Sequence, residues 1–240
     1  MGMQALLHVV YPPQCLTCTA LVTTDFGICS ACWQQTPFIA GLVCSKCGAP
    51  LHGEDRAEEV LCDDCLTIAR PWSTGRAALL YKDNARKLVL ALKHGDRIDL
   101  SRPVSAWMLR AATPILLPGM LVAPIPLHWL RLLKRRYNQA ALLSAGVAGL
   151  AGLEHCPDLL QRRRNTGTQD GRDRDGRFAN MAAALTVHPR RAARIDGRHV
   201  LLVDDVMTSG ATFAAAAEAC VAAGAIGVSV LAMARVVKDA

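Results

Sequence analysis

Aromatic residues are scarce in this chain of 240 residues, where Phe, Trp and Tyr together make up only 5%. Their scarcity disfavours a β-sandwich, since aromatic and β-branched residues are the ones enriched in exposed antiparallel strands. Hydrophobic residues still make up 52% of the chain, and Ala, Leu and Val are abundant. This composition favours helices packed on buried parallel strands and excludes a largely disordered chain. The length suits one medium domain and one small one.

The chain also lacks the hydrophobic segments of exported and membrane proteins. Residues 1–10 have neither a basic start nor a long apolar run, so they do not resemble an export signal. The longest weakly polar stretch, residues 140–153, is too short and too rich in glycine to span a bilayer. We therefore expect a soluble, cytoplasmic protein without membrane insertion.

Acidic residues are few outside the N-terminal part of the chain. Residues 1–70 carry three basic and seven acidic residues, a net charge of −4. Because the whole chain has a net charge of +7, residues 71–240 have a net charge of +11. A basic domain suits ligands that bear phosphate, whether nucleotides or nucleic acid. A solvated, arginine-rich surface explains the same charge equally well.

Cysteine is the residue that the N-terminal part has in excess. Eight of the ten cysteines precede residue 66 and form four Cys-x-x-Cys pairs. Each pair can form a tight turn that directs both sulfurs at one tetrahedral ion, so four pairs predict two structural zinc ions. Disulfides are disfavoured in a reducing cytosol, and a redox motif needs only one pair. We expect consecutive pairs to share an ion, and a cross-braced pairing is the alternative. The consecutive pairing predicts two sets of ligands: Cys15, Cys18, Cys29 and Cys32 for the first ion, and Cys44, Cys47, Cys62 and Cys65 for the second.

Three further expectations follow from the cysteine pattern. Gly48, directly after a pair, fits a turn that needs a positive φ. The segment is too small to bury much apolar area, so metal binding is expected to supply much of its folding free energy. Cys156 and Cys220 have no second cysteine nearby and are predicted to be ordinary packed thiols.

Beyond Pro71 and Trp72 the chain alternates between predicted strands and helices, with a polar loop at residues 167–177. This alternation predicts βαβ units and a parallel sheet covered on both faces. The domain boundary is therefore placed between a zinc-binding module at residues 1–70 and an α/β domain at residues 71–240. Strands are expected at residues 75–81, 120–125, 159–162, 199–203 and 226–232, and helices at residues 84–93, 100–112, 137–150, 181–187 and 212–223.

One strand–loop–helix segment carries the features of a ligand site. A buried strand runs into Asp204 and Asp205, a loop of small residues follows, and a helix begins near Thr212. Ligands of open α/β sheets bind at the carboxyl ends of strands, and the N–H groups and dipole of a helix N-terminus attract anions. Taken alone, each residue has a simpler interpretation: Asp205 ends a strand, and Thr212 caps a helix. The complete order favours an anion cradle in which Gly210 allows close approach of the ligand, formed by Thr208, Ser209, Gly210, Ala211 and Thr212.

These residues resemble a known family. The segment Val203-Asp-Asp-Val-Met-Thr-Ser-Gly-Ala-Thr212 is similar to the phosphoribosyl-diphosphate loop of type I phosphoribosyltransferases. Four cysteine pairs before this domain resemble the double zinc ribbon of the ComF family. Nearly the whole chain shares the likeness, which includes Val122-Ala-Pro-Ile-Pro-Leu127, Arg131, Arg135-Arg-Tyr-Asn-Gln139, Arg163-Arg-Asn-Thr166, Gln169, Arg177 and Asn180.

The resemblance implies a type I phosphoribosyltransferase-like sheet and a set of roles. It implies that Asp204 and Asp205 bind ribose hydroxyls of phosphoribosyl diphosphate, accompanied by Mg²⁺, and that residues 208–212 bind the 5′-phosphate. Pyrophosphate would lie beyond Pro124, where Arg135 or Arg136 could neutralise its charge. The family often has a small residue at the position of Arg136 and Thr at that of Ser209.

ComF-like proteins are associated with natural competence, so the resemblance implies a role in the uptake of single-stranded DNA together with the uptake machinery. Two alternatives stay open: a phosphoribosyltransferase that acts on an unidentified acceptor, and a non-catalytic sensor of phosphoribosyl diphosphate. Acidic residues interleave with the later arginines of the predicted loop, so its charges could simply pair with one another. The residues considered for DNA contact are Lys134, Arg135, Arg162, Arg163, Arg172 and Arg174.

Overall fold

The structure, a computed structural model, describes residues 10–54, 58–127, 132, 136–162 and 185–237. Five strands form one parallel sheet in the order β1-β7-β6-β2-β3, and β4 pairs with β5 in a separate antiparallel ribbon. The predicted α/β class with a parallel sheet is therefore confirmed. The strands are β1 (Thr74–Leu80), β2 (Leu121–Pro124), β3 (Glu154–His155), β4 (Leu160–Arg162), β5 (Leu185–Val187), β6 (His199–Met207) and β7 (Gly227–Arg235).

Four of the five predicted helices lie close to their predicted positions, and the fifth does not. Residues 185–187 belong to β5, so the helix predicted at residues 181–187 is wrong there, because these residues pair with β4; residues 181–184 lie outside the described residues. Short 3₁₀ turns are also present at Ile98–Leu100, Thr113–Ile115 and Pro189–Arg191. The helices are α1 (Ser30–Gln34), α2 (Asp63–Thr67), α3 (Asp83–His94), α4 (Ser101–Ala112), α5 (Gln139–Ala151), α6 (Ala192–Ile195) and α7 (Ala211–Ala222).

Alternate residues of β6 serve two separate hydrophobic cores. Leu201 and Val203 face the core built with α3, α4 and α5, whereas Val200 and Leu202 face the core that contains α7 and the second group of cysteines. All four side chains are fully buried, and burial of each contributes about 1.5–3 kcal/mol. The sheet is therefore covered on both faces, as the unbroken apolar runs predicted.

The cysteine-rich segment lies against the β1 edge of the sheet and contributes to both cores. Phe38 forms an antiparallel bridge with Leu79, and the N–H of Ile39 donates to the carbonyl of Ala78 at 3.0 Å. These bonds cover an otherwise open strand edge. On the second face Gly48 has φ +68°, and a Cβ there would lie 2.7 Å from the N atom of Ala77. The positive φ predicted for Gly48 is confirmed, and glycine also permits close packing against β1.

The joint between the two parts is held by reciprocal bonds. The indole Nε1 of Trp72 donates to the carbonyl of Lys46 at 2.6 Å, and the Lys46 Nζ donates to the carbonyl of Trp72 at 3.3 Å. The Trp72 ring is 3% exposed and packs edge-on against Phe213 of α7. Contacts thus cross residue 70, and the division into two domains at that residue stays a prediction. In the part of the chain described, no helix is both long and apolar enough to cross a membrane.

Candidate functional site

The eight cysteines of the N-terminal pairs form two quartets in space. Within each quartet the sulfurs lie within 4.8 Å of one another. The sulfurs of Cys18 and Cys29 are 3.6 Å apart, as are those of Cys47 and Cys62. This separation matches the edge of a zinc–thiolate tetrahedron, about 3.8 Å for Zn–S bonds of about 2.3 Å, and is far longer than a disulfide. The first quartet is Cys15, Cys18, Cys29 and Cys32, and the second quartet is Cys44, Cys47, Cys62 and Cys65.

The close packing of four thiols in the second quartet shifts thiol pKa values in opposite directions. Hydrogen bonds from Cys47 and Cys65 hold the pKa of Cys44 far below its usual range. The same hydrogen bond to Cys44 raises the pKa of Cys65 far above its usual range. Four thiolates cannot coexist at this spacing unless a metal ion compensates their charge. Both quartets fit structural zinc, which when bound by four cysteines leaves no open position for catalysis.

Asp204 and Asp205 lie inside β6, which is longer than predicted. The strand was expected to end at Val203, but it continues to Met207 because β7 pairs with it as far as Arg235. On the other side β2 ends at Pro124, opposite Val203. Asp204 and Asp205 therefore lie past the end of one neighbouring strand, at the carboxyl edge of the sheet where ligands bind, with their side chains on opposite faces of β6.

The two carboxyl groups differ in their surroundings. Asp204 accepts a hydrogen bond at 2.8 Å from the backbone N–H of Asp205, whereas Asp205 forms an ion pair with Lys93 of α3, with Nζ 3.1 Å from Oδ1. Removal from water raises the pKa of Asp204 to about 7; the Asp205 carboxylate raises it further, and Lys93 and Arg162 oppose the rise. Asp204 can thus gain or lose a proton near neutral pH.

The loop after β6 leads directly into α7. Gly210 is the residue before the helix and has φ +83°, and Ala211 is the first helical residue. A Cβ at position 210 would lie 3.0 Å from Nη1 of Arg70 and 3.1 Å from the Trp72 ring. Glycine was predicted to allow close approach of a ligand, but the neighbours in the structure are these two protein side chains. Thr208 is exposed, and Ser209 and Thr212 are partly exposed.

The segment after β2 is held beside the same edge. The N–H of Ile125 donates to the carbonyl of Val203 at 2.8 Å. Asn138 binds twice here: its Nδ2 donates to the carbonyl of Ile125 at 3.1 Å, and its side-chain oxygen caps α5. Arg162, at the end of β4, donates from Nε to the carbonyl of Pro126 at 3.3 Å. The place predicted for pyrophosphate is therefore adjacent to a guanidinium group that sequence reasoning assigned to DNA contact.

Most of the other residues predicted to contact the ligand or DNA lie outside the described residues. Arg136 is exposed and adopts φ +66°, and Arg162 lies as described above. Three basic residues were missed because no local motif contains them: Lys93, in the last turn of an amphipathic helix, and Arg70 and Arg235, each distant in sequence from the loop they contact. Outside the described residues lie Arg131, Lys134, Arg135, Arg163, Arg172, Arg174, Gln169, Arg177, Asn180 and the loop at residues 167–177.

Comparisons with known proteins identify the N-terminal module and relatives of nearly the whole chain. Residues 6–66 match the family of double zinc ribbon domains. The DNA utilization protein YhgH of Escherichia coli (strain K12) is 29% identical over 231 residues, 93% of this chain and 97% of that protein. Competence protein F of Haemophilus influenzae is 26% identical over 206 residues, 83% of this chain and 86% of that protein. Together with the double zinc ribbon match, these two relatives support assignment of the chain to the ComF family. The predicted zinc-ribbon module is confirmed at residues 6–66.

Solved structures that resemble it include two large enzymes. The allosteric regulatory enzyme of purine biosynthesis aligns with 60% of this chain at 16% identity and a TM-score of 0.41. Glutamine phosphoribosylpyrophosphate amidotransferase from B. subtilis aligns with 59% at 17% identity and a TM-score of 0.40. The match spans 30% of each enzyme's chain.

The two cysteines outside the quartets are packed thiols. Cys156 and Cys220 are fully buried. Burial raises the pKa of Cys220 to about 12 and also raises that of Cys156, so neither is a reactive thiolate at neutral pH.

Proposed function

We propose that this ComF-family chain binds phosphoribosyl diphosphate together with Mg²⁺ at the carboxyl end of β6, and that it supports the uptake or use of single-stranded DNA in the cytoplasm. The observation that carries the ligand proposal is the position of Asp204 and Asp205. Both residues lie past the end of β2, and after Val206 and Met207 they are followed by a loop at the N-terminus of the 12-residue helix α7.

Each part of the ligand has a matching group. The carboxylates of Asp204 and Asp205 can accept hydrogen bonds from ribose hydroxyls. Residues 208–212 offer backbone N–H groups and hydroxyls to the 5′-phosphate at the positive end of the helix dipole. Arg162 supplies positive charge beside the segment after Pro124, where the diphosphate would lie, and Lys93 supplies positive charge beside Asp205. Mg²⁺ prefers carboxylate, phosphate and water oxygens, all of which would meet at this edge.

Calorimetric titration of the zinc-loaded protein with phosphoribosyl diphosphate and Mg²⁺ tests the ligand proposal. We expect saturable binding that the double variant Asp204→Asn, Asp205→Asn abolishes while its folded circular-dichroism spectrum persists. Glu218→Gln, at an exposed position of α7, is the control and should bind normally. Normal binding by the double variant would contradict the assignment of the site.

The proposal of a DNA-related role has different support. The two relatives are named for DNA utilization and for competence, and residues 71–240 carry a net charge of +11. Backbone phosphates release counterions when they bind such a surface, so affinity for single-stranded oligonucleotides should fall steeply as salt rises. Fluorescence anisotropy at several salt concentrations measures this slope. Binding that is absent or independent of salt would contradict a direct DNA contact.

Transfer of the phosphoribosyl group to an acceptor is a second candidate, favoured by one observation. The pKa of Asp204 is raised to about 7, which suits a group that accepts a proton from an attacking acceptor at neutral pH. Positioning and electrostatic stabilisation supply most of the remaining barrier reduction in such chemistry. Pyrophosphate release, assayed in the calorimetric samples with a panel of bases, distinguishes the candidates. Binding without release favours an accessory or sensing role, and release with one base identifies an enzyme.

A further inference from the structure

One buried arginine touches both the second quartet and the loop after β6. Arg235 ends β7 and is 3% exposed. Its Nη1 donates to the carbonyl of Met207 at 3.2 Å and also to the carbonyl of Thr208. Its Nη2 lies 3.8 Å from the sulfur of Cys47. A single planar guanidinium group thus joins a cysteine of the quartet to two consecutive peptide carbonyls of the loop.

A second arginine makes the same connection from the other side. The Nη1 of Arg70 donates to the carbonyl of Ser209 at 2.8 Å. Its guanidinium also acts on Cys65 of the second quartet, where it opposes the rise in the pKa of that thiol, and it lies over the Trp72 ring, 5.4 Å from its centroid. The first quartet has no comparable link to the loop among the described residues; it contacts α3 instead, where Asn84 donates to the carbonyl of Cys32.

These bonds fix which way the peptide groups of the loop point. The carbonyls of Met207, Thr208 and Ser209 all face the two arginines. A trans peptide unit is planar, with its C=O and N–H on opposite sides. The N–H groups of residues 208, 209 and 210 are therefore directed away from the quartet, into the space where an anion can approach the start of α7. Successive carbonyls would alternate in a continuing strand, so this shared orientation needs an external partner to hold it. The backbone N–H of Val236 also binds the carbonyl of Met207 at 2.9 Å, so the arginines matter most for the carbonyls of Thr208 and Ser209.

The positive charges of Arg70 and Arg235 make the orientation of the loop depend on the second quartet. Among the described residues, the buried Nε atoms of Arg70 and Arg235 have no hydrogen-bond partner. Each guanidinium therefore relies on carbonyls and on the cysteine sulfurs for compensation: those of the loop for both arginines, and also that of Val236 for Arg235. A zinc ion with four thiolates carries a net charge of −2, and charge-assisted hydrogen bonds are roughly twice as strong as neutral ones. When the metal leaves, nothing holds the four sulfurs in fixed positions beside the two guanidinium groups, and that compensation is lost.

We propose that Arg70 and Arg235 are positioning residues of the loop 207–210, and that zinc in the second quartet holds both guanidinium groups in place. Occupancy of the second quartet then governs how well the loop binds a phosphate-bearing ligand, whereas occupancy of the first does not. The ligand part of this inference rests on the function proposed above; the orientation of the loop does not.

A matched pair of cysteine variants tests the inference in the full chain. Cys62→Ser removes a ligand of the second quartet that neither arginine contacts, and Cys18→Ser removes one from the first. Zinc content, hydrogen exchange of amides 208–212 and affinity for phosphoribosyl diphosphate with Mg²⁺ are measured for each. Both variants should lose about one zinc ion, but only Cys62→Ser should show faster exchange in the loop and an affinity at least about tenfold weaker, the change that a loss of about 1.4 kcal/mol gives.

The exchange of amides 200–203 in β6 is the internal reference and should stay slow in both variants. Equal loop exchange and affinity in the two variants would overturn the inference. If Cys62→Ser does not fold, Arg235→Lys decides, since it keeps the charge but loses the forked donor geometry. Arg235→Lys should retain both zinc ions yet show faster loop exchange, and unchanged exchange would overturn the inference. If the wild-type protein binds no ligand, the proposed function fails while the exchange result still decides the positioning role.

Discussion

Lys93 and Asp205, from two elements that are far apart in sequence, form an ion pair in which Nζ lies 3.1 Å from Oδ1. Their side chains are 21% and 12% exposed, so water screens the pair only in part. The pair joins the last turn of α3 to the acidic edge of the sheet. Lys93 also opposes the rise of the pKa of the neighbouring Asp204.

Replacing this lysine should therefore shift the pH range of ligand binding. In Lys93→Met the pKa of Asp204 rises above about 7, because a stabilising positive charge is lost. We expect affinity at pH 7 to fall about fivefold, which corresponds to about 1 kcal/mol. The deficit should shrink at pH 9, where the carboxylates are ionised in both proteins. Lys87→Met is the control, since Lys87 lies on the same helix and binds Asn84. An equal effect in both variants at all pH values would refute the role of Lys93.

The pKa of Asp204 predicts opposite pH dependences for binding and for stability. Ligand binding that needs the ionised carboxylate should weaken as pH falls through about 7, by about tenfold one pH unit below the pKa. The folded state holds this proton at a higher pH than the unfolded state does, so the free energy of unfolding should decrease as pH rises from about 4 to above 7. Asp204→Asn should remove that part of the decrease. Urea unfolding at pH 5 and pH 8 measures it, and identical pH dependence in wild type and variant would contradict the prediction.

Gly210 should be more costly to replace than another glycine of similar backbone conformation. A Cβ at position 210 combines a positive φ with contacts at 3.0 and 3.1 Å to Arg70 and Trp72, whereas Gly152 has φ +65° and no atom within 4 Å of its position. Strain alone costs about 1–2 kcal/mol in either alanine variant, and crowding adds about 1–3 kcal/mol at Gly210. Denaturant unfolding of Gly210→Ala and Gly152→Ala compares them. Equal losses of stability would show that the contacts around Gly210 relax freely.

Elemental analysis should find two zinc ions in each chain. Cys29→Ala removes one ligand of the first quartet, and three thiolates with an open position bind zinc more weakly than four. This variant should retain about one zinc ion after dialysis against a mild chelator. Cys220→Ala is the control, since Cys220 is buried in the core with α7, and it should retain two. A single zinc ion in the wild-type protein would contradict the assignment of two quartets.

Local sequence patterns predicted the parts of the fold that local geometry controls. A Cys-x-x-Cys turn needs only two intervening residues, so two zinc sites could be inferred before any tertiary contact was known, whereas the choice of consecutive over cross-braced pairs came from the structure. Helical spacing in residues 84–93 gave α3 to within a residue at each end. The order of strand, acidic pair, small loop and helix after residue 199 likewise depends on neighbours in sequence.

Predictions failed or fell short where a distant partner decides the outcome. Residues 185–187 are a strand because they pair with β4, and nothing within the segment itself reveals that partner. The strand that contains Asp204 runs on to Met207 because β7 is long enough to pair with it. Strand ends depend on the neighbouring strand, and hydrophobic periodicity carries no information about that neighbour.

The sequence by itself determined the chemistry of this protein: eight thiols in paired turns, two adjacent carboxylates, and a glycine-containing loop before a helix. Tertiary structure alone decided how these groups act on one another. It placed Lys93 on Asp205, and it brought Arg70 and Arg235 between the second quartet and the loop across 139 and 27 residues of sequence, respectively. The reason is that hydrogen bonds and ion pairs depend on distances of a few ångströms in space, which chain folding sets and sequence separation does not.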